Sequence, residues 1–171
     1  MKLTKARCLI LACGNTLRSD DGVGPWLALW AEERFREDAR VHVVSRQQWT
    51  PELAEEIAAA ESVLFLDCSM EAEPGAVGLT AVEAGSSAKG LATHHLSATE
   101  LLELGRELYG SLPRTAVLLT VGAGSTELGE EFGAAVTAAL PEACRQIEET
   151  ILRLLPETAT PGSISEDSRQ A

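Results

Sequence analysis

Apolar runs of strand length alternate with segments of helical periodicity along most of the chain. Strands are predicted over residues 7–13, 41–46, 62–67, 76–82 and 115–121, and helices over 25–37, 51–60, 98–109 and 130–155. This alternation is typical of a mainly parallel sheet that is covered by helices on both faces. We therefore expect an α/β fold, a single-domain three-layer sandwich with a twisted, mostly parallel five-stranded sheet.

Local signals refine this prediction at three places. The connection between residues 67 and 77 contains Pro74-Gly75 and is too short for a crossover helix, so the strand that follows it is expected to run antiparallel. Thr50-Pro51-Glu52 predicts a helix with a threonine cap and proline in its first position. Ser97 and Glu100 have the spacing of a capping box, which places another helix start there.

The length and composition predict one domain. A chain of 171 residues with 45% hydrophobic content can bury one substantial core. We assign residues 1–155 to this domain. Residues 158–171 show no apolar periodicity, and we expect 156–171 to be a flexible C-terminal tail.

The charge and the cysteines limit the functional classes. The net charge of −12, from 26 acidic and 14 basic residues, argues against nucleic-acid and anionic-lipid partners. No apolar run approaches the roughly 20 residues that cross a bilayer, and the N-terminus does not resemble a signal peptide, so a cytoplasmic protein is expected. The four cysteines lack CxxC spacing and are expected to be reduced thiols in apolar surroundings.

The most informative segment is GNTLRSDDGVG at residues 14–24, directly after the first predicted strand. It places two adjacent carboxylates, Asp20 and Asp21, at the carboxyl edge of the sheet, where open α/β proteins bind ligands. One interpretation is a solvated turn with an aspartate as helix cap. The other two interpretations are a cation site and a phosphate-binding loop. The two carboxylates would repel phosphate, and the segment lacks GxGxxG and a P-loop lysine, which argues against the phosphate-binding loop.

Two further positions can reach the same edge. Asp67 closes the strongest predicted strand, and it approaches Asp21 if the first and third strands are neighbours; alternatively it only caps the following turn. His94 and His95 precede a helix start, so one of them is a candidate ligand and the other a surface residue, whereas His42 lies inside a strand. Two carboxylates and one imidazole suit a divalent transition metal. The chain shows neither HExxH nor a GxSxG elbow.

These residues resemble the motifs of the nickel-iron hydrogenase maturation endopeptidases. Residues 14–24 are similar to that family's GNxLxxD[DE]GxG signature, and the strand ending in Leu66-Asp67 resembles its second acidic position. Thr93-His94-His95-Leu96 resembles its histidine motif, in which His-x-Leu precedes a helix, and this register selects His94. The resemblance spans roughly residues 7–155.

The resemblance implies a function and a set of site residues. Asp21, Asp67 and His94 would be both the catalytic residues and the metal ligands, coordinating nickel already present in the hydrogenase large-subunit precursor. The chain would then remove the precursor's C-terminal extension. Nickel would be supplied by the substrate, with no organic cofactor, and the enzyme would be a monomer.

Several assignments stay open at this stage. Asp20 is the nearest candidate for a general base, but it can instead hold its loop through backbone amides. The alternative function is a non-enzymatic module that binds a divalent metal or docks during hydrogenase maturation; a nucleotide-binding enzyme comes third.

The chain also departs from the family pattern. Residues 45–51 replace a glycine-rich turn with an aspartate, which affects substrate choice. Gln48 and Trp49 are candidates for contacting the precursor, although Trp49 can equally cover the core. Cys13 and Cys68 flank the predicted crevice. They are either small packed residues or thiols close enough to oxidise or to capture a soft metal.

Overall fold

The computed structural model describes residues 7–85 and 96–155. Five strands form one sheet: β1 (Cys8–Cys13), β2 (Val41–Arg46), β3 (Ser62–Ser69), β4 (Val77–Ala81) and β5 (Thr115–Gly122). Their spatial order is β2-β1-β3-β5-β4. All neighbouring pairs are parallel except β4 and β5, which are antiparallel. The predicted fold class, including the single antiparallel strand, is confirmed.

Helices cover both faces of this sheet. They are α1 (Val23–Arg34), α2 (Leu53–Ala59), α3 (Ala98–Tyr109) and α4 (Ala134–Leu154), and a 3-10 turn at Ser19–Gly22 precedes α1. Side chains alternate along each strand, so β1 contributes Ile10 to the cluster under α1 and α4 and Leu11 to the cluster under α2 and α3. The central strands β1 and β3 are buried on both faces, as continuous apolar runs predict.

The ends of the helices show where local signals were sufficient. Helix α3 has the predicted bounds, because Ser97 and Glu100 form the reciprocal capping box and Gly110 ends the helix in a left-handed conformation. Helix α2 was predicted to start at Pro51 with Thr50 as its cap. That prediction was wrong, since residues 50–52 form a turn and Glu52 is the N-cap.

Other boundaries also differ from the prediction, among them the end of α1 at Arg34 and not at residue 37. Helix α1 begins two residues before the predicted Pro25, which fits its first turn because the amide there needs no partner. Strand β3 continues two residues beyond Asp67, paired with β5 up to Gly122. Helix α4 starts at Ala134 and not at residue 130, because the preceding loop is held in another conformation, described below.

Two predictions, the C-terminal tail and the histidine ligand, stay predictions. The proposed tail at 156–171 lies outside the described residues, and so do His94 and His95. Among the described residues, no helix combines the length and apolar character needed to cross a membrane.

Candidate active site

The candidate site lies between the carboxyl ends of β1 and β3, two neighbouring central strands. The chain leaves β1 through α1, packed on one face of the sheet, and reaches β3 through α2, packed on the other. The crevice at such a reversal of strand order is where open α/β sheets bind ligands. The loop after β1 and the last residues of β3 form its two sides.

Two glycines, Gly14 and Gly24, allow the loop after β1 to fold tightly, and this places Asp21 at the crevice. Gly14 has φ 149°, and a Cβ on it would lie 2.0 Å from the carbonyl oxygen of Asp21. A Cβ on Gly24 would lie 2.2 Å from the carbonyl oxygen of Cys13. Both approaches exclude a side chain. These contacts explain the glycine pattern that surrounds the two aspartates.

The half-buried Asp21 carboxylate is fixed by two donors. Its Oδ2 accepts a 2.8 Å hydrogen bond from the backbone amide of Asn15, and its Oδ1 accepts a 3.2 Å bond from the Cys68 thiol. Asn15 Oδ1 in turn accepts from the amide of Leu17, which closes a compact turn. The carboxylate is therefore held in a defined position beside β3.

Asp67 lies on β3 and reaches the same crevice. Its Oδ1 accepts a 2.8 Å hydrogen bond from the amide of Cys68, the next residue, and the Cys13 thiol also bonds its carboxylate. Ligand atoms of Asp21, Asp67 and Cys68 all lie within 4.8 Å of one another. The structure thus brings together two of the three predicted site residues, and adds a sulfur atom beside them. A divalent cation can be held by such a group.

The two thiols at this edge are protonated donors at neutral pH. Burial, together with the charges of Asp67 and Asp21, raises the pKa of the Cys13 thiol. Burial also raises the pKa of the Cys68 thiol, and its bond to Asp21 and both carboxylate charges act in the same direction. Each thiol therefore donates to one carboxylate.

The two cysteines face opposite sides of the sheet. Cys13 packs against the cluster under α2 and α3, and Cys68 against the cluster under α1 and α4. Both are free thiols. Side chains that leave a sheet on opposite faces do not have the geometry of a disulfide, so the structure gives no support to their oxidation to one.

Asp20 does not face the crevice, although it is adjacent to Asp21. It is 1% exposed, and its carboxylate accepts three backbone hydrogen bonds: from Gly124 (2.8 Å) and Ser125 (3.1 Å) at Oδ2, and from Gly133 (2.8 Å) at Oδ1. Its own amide donates to Ser125 O. Of the two open interpretations, general base and loop anchor, the structure shows the loop anchor.

The residues anchored by Asp20 form a loop at 123–133 that borders the site. Its outer part pairs with the loop after β1, through hydrogen bonds from Ser19 N to Gly129 O (2.7 Å) and from Gly129 N to Leu17 O (2.9 Å). Arg18 and Gly129 form a parallel bridge. Leu17 and Leu128 are 54% and 81% exposed on this rim. Leu17 is the leucine of the GNxLxxD segment, whereas no motif in the sequence marks Leu128.

The two candidates for contacting a precursor in residues 45–51 are in different environments. Trp49 is 5% exposed and packs edge-to-face on Phe65 with ring centroids 5.2 Å apart, so it covers the core. Gln48 is exposed. His42 lies on β2, with Nε2 3.8 Å from a carboxylate oxygen of Glu56, and it does not belong to the donor group of Asp21, Asp67 and Cys68.

Solved structures that are similar to this chain include hydrogenase maturation enzymes. The chain is similar to the hydrogenase maturating endopeptidase HybD from E. coli, at 19% identity and a TM-score of 0.70, over 86% of this chain and 93% of that one. The chain has the fold of the hydrogenase maturation endopeptidases. At the level of sequence alone, no family model and no curated protein matches it.

Two further structures have higher identity. The [NiFe] hydrogenase maturation protease HybD from Thermococcus kodakarensis is 25% identical, with a TM-score of 0.65, over 84% of this chain and 98% of that one. The protease HycI from Thermococcus kodakarensis KOD1 is 26% identical, with a TM-score of 0.60, over 89% and 94%. The resemblance predicted from the motifs is confirmed, and so is the predicted enzyme class, since these neighbours are peptidases.

Proposed function

We propose that this chain is an endopeptidase that removes the C-terminal extension of a nickel-loaded [NiFe] hydrogenase large-subunit precursor. One observation carries the proposal: Asp21 and Asp67, 46 positions apart in the chain, place carboxylate oxygens within one 4.8 Å group at the ligand-binding edge of the sheet. The similarity to named maturation proteases supports the same reading.

In this proposal Asp21 and Asp67 bind the nickel that the precursor carries. His94, selected by the motif register, is the third predicted ligand. Bound nickel supplies Lewis acidity toward a carbonyl or a water. Nickel held there would position the scissile peptide. The contacts of the chain orient the ligands: the amide of Asn15 fixes Asp21, the amide of Cys68 fixes Asp67, and Asp20 keeps the neighbouring loop in position.

The rim formed by Leu17 and Leu128 is the surface that we assign to the precursor. Leu17 belongs to the same loop as Asp21, so a peptide bound at the carboxylates would lie against it. The 123–133 loop also carries the exposed acids Glu127, Glu130 and Glu131. A precursor segment with apolar and basic residues fits such a surface.

A processing assay tests the proposal. Purified chain is incubated with nickel-loaded precursor and, separately, with metal-free precursor, and the mass of the large subunit is followed. We expect shortening of the loaded precursor alone. Unchanged loaded precursor, with nickel retained by the chain, would instead favour the non-enzymatic metal-binding or docking module.

The adjacent histidines provide a matched control in the same assay. His94→Ala is expected to abolish cleavage, because it removes the predicted third ligand, whereas His95→Ala should cleave at nearly the wild-type rate. The opposite result would transfer the ligand role to His95 and leave the rest of the site in place.

A further inference from the structure

Cys68 places a sulfur atom among the carboxylates of the candidate site. Its Sγ lies 3.2 Å from Asp21 Oδ1, and its ligand atom belongs to the same 4.8 Å group as those of Asp21 and Asp67. We infer that Cys68 is a further metal ligand, so that one thiolate and two carboxylates of the chain bind nickel. This inference rests on the proposed function.

The local backbone explains how consecutive strand residues can share one ion. Side chains of neighbouring residues leave a strand on opposite faces, so Asp67 and Cys68 should point apart. The Asp67 carboxylate, however, bends toward the following residue and accepts a 2.8 Å hydrogen bond from the Cys68 amide. Because β3 ends one residue later, both groups can reach over the edge of the sheet toward Asp21.

The mixed donor set determines which ions the site takes. Carboxylates alone would accept Mg²⁺ or Ca²⁺, whereas a thiolate favours nickel and other softer transition ions. On ligation the Cys68 thiol gives up its proton to solvent, and its bond to Asp21 Oδ1 is replaced by bonds from both atoms to the ion. No oxidation state changes. Asp21 Oδ2 keeps its bond to Asn15 throughout.

Cys13 is the natural comparison, because its thiol bonds the other carboxylate, that of Asp67. It packs on the opposite face of the sheet and lies outside the three-residue donor group. Cys144, on α4, is a second control thiol that packs against the core. Of these three cysteines, we therefore expect only Cys68 to form a sulfur–nickel bond.

The test is a titration of the full-length, metal-free protein with nickel chloride, followed by near-ultraviolet absorption and by calorimetry. Wild type, Cys13→Ser and Cys144→Ser should develop a thiolate-to-nickel charge-transfer band. Cys68→Ser should lack the band and bind nickel at least about tenfold more weakly, since loss of a ligand costs no less than loss of its supporting contacts. Excess Mg²⁺ should not displace nickel from the wild type.

Several results would overturn the inference. One is a Cys68→Ser variant that keeps both the charge-transfer band and the nickel affinity of the wild type. Another is a wild-type protein that binds nickel by calorimetry but shows no band, and the third is a wild-type protein that does not bind nickel. Circular dichroism of Cys68→Ser confirms that the variant is folded, and Cys68→Ala separates ligation from hydrogen bonding. If Ala weakens binding while Ser preserves it, the thiol serves only as a donor to Asp21, and the inference fails.

Precursor cleavage by the same proteins separates this inference from the proposed function. Cleavage of loaded precursor by wild type and Cys68→Ser alike, with no sulfur–nickel band, would refute the role of Cys68 and leave the endopeptidase intact. A band that depends on Cys68 in a wild-type protein that never cleaves loaded precursor would refute the endopeptidase and leave the ligand in place.

Discussion

Two adjacent aspartates in the loop after β1 have different roles because their side chains meet different surroundings. Asp20 is buried and satisfied by three backbone amides, whereas Asp21 is half-buried and turns toward β3. The family resemblance selects Asp21 as a ligand, but the sequence leaves Asp20 open between a general base and a loop anchor. The amides that define Asp20 lie 104 to 113 positions further along the chain.

Replacing Asp20 by alanine should destabilise the whole domain. It removes hydrogen bonds to a charged acceptor and leaves buried amides without partners, which we expect to cost about 3 kcal/mol or more of unfolding free energy. Urea denaturation measures this loss. Asp21→Asn is the matched control, expected to change stability by less than about 1.5 kcal/mol. Equal losses in the two variants would contradict the division of roles.

The buried thiol of Cys8 gives a second prediction for a single residue. It is 0% exposed, and burial raises its pKa to about 11, with a smaller opposing effect of a Ser62 hydrogen bond. A raised pKa keeps the group as an unreactive thiol at pH 8. Maleimide labelling followed by mass spectrometry should leave Cys8 unmodified in native protein and modify it in urea. Rapid native labelling at Cys8 would be inconsistent with this burial.

The helices and strands were predictable wherever their determinants are local. Helix α3 follows from its capping box and Gly110, and the antiparallel β4 follows from a connection too short for a helix. The start of α4 was not predictable. Residues 130–133 directly precede a helical segment, but the loop at 123–133 is held in another conformation by Asp20 and by its pairing with the loop after β1. Contacts distant in sequence overrode the local pattern there.

The rim created by that pairing should contribute to precursor binding. Leu128→Ser removes an exposed apolar contact, so we expect KM for loaded precursor to rise several-fold while kcat changes little. Steady-state processing kinetics measure both. Leu152→Ser on α4, exposed at 65% and away from the rim, is the control and should leave KM unchanged. A fall in kcat at constant KM for Leu128→Ser would place its effect in the chemistry instead.

For the whole molecule, charge and topology act together. The parallel sheet brings distant acids to one edge, and the net charge of −12 surrounds them with a negative field. The sequence predicted that Asp21 and Asp67 would meet if the first and third strands were neighbours, and β1 and β3 are neighbouring parallel strands that end at the same edge. The sequence left open whether the thiols of Cys13 and Cys68 lie close enough to capture a soft metal, and it could not distinguish Cys68, which joins the donor group, from Cys13, which does not.

This field should speed association with a basic precursor segment. Between about 0.1 M and about 1 M salt the screening length shortens from about 10 Å to about 3 Å. We therefore expect kcat/KM for loaded precursor to fall across that range while single-turnover cleavage of bound precursor stays constant. A kcat/KM that is independent of salt would show that the acidic surface takes no part in recognition.

Single-turnover cleavage of nickel-loaded precursor by Asp21→Asn and Asp67→Asn tests most directly whether these two acids form one nickel-dependent site. Both variants should be folded and should leave the precursor uncleaved, and the double variant should be no worse than either single one. Asp38→Asn, whose carboxylate pairs with Arg40 and not with the site, should cleave normally. Wild-type cleavage by either Asp21→Asn or Asp67→Asn would contradict the account.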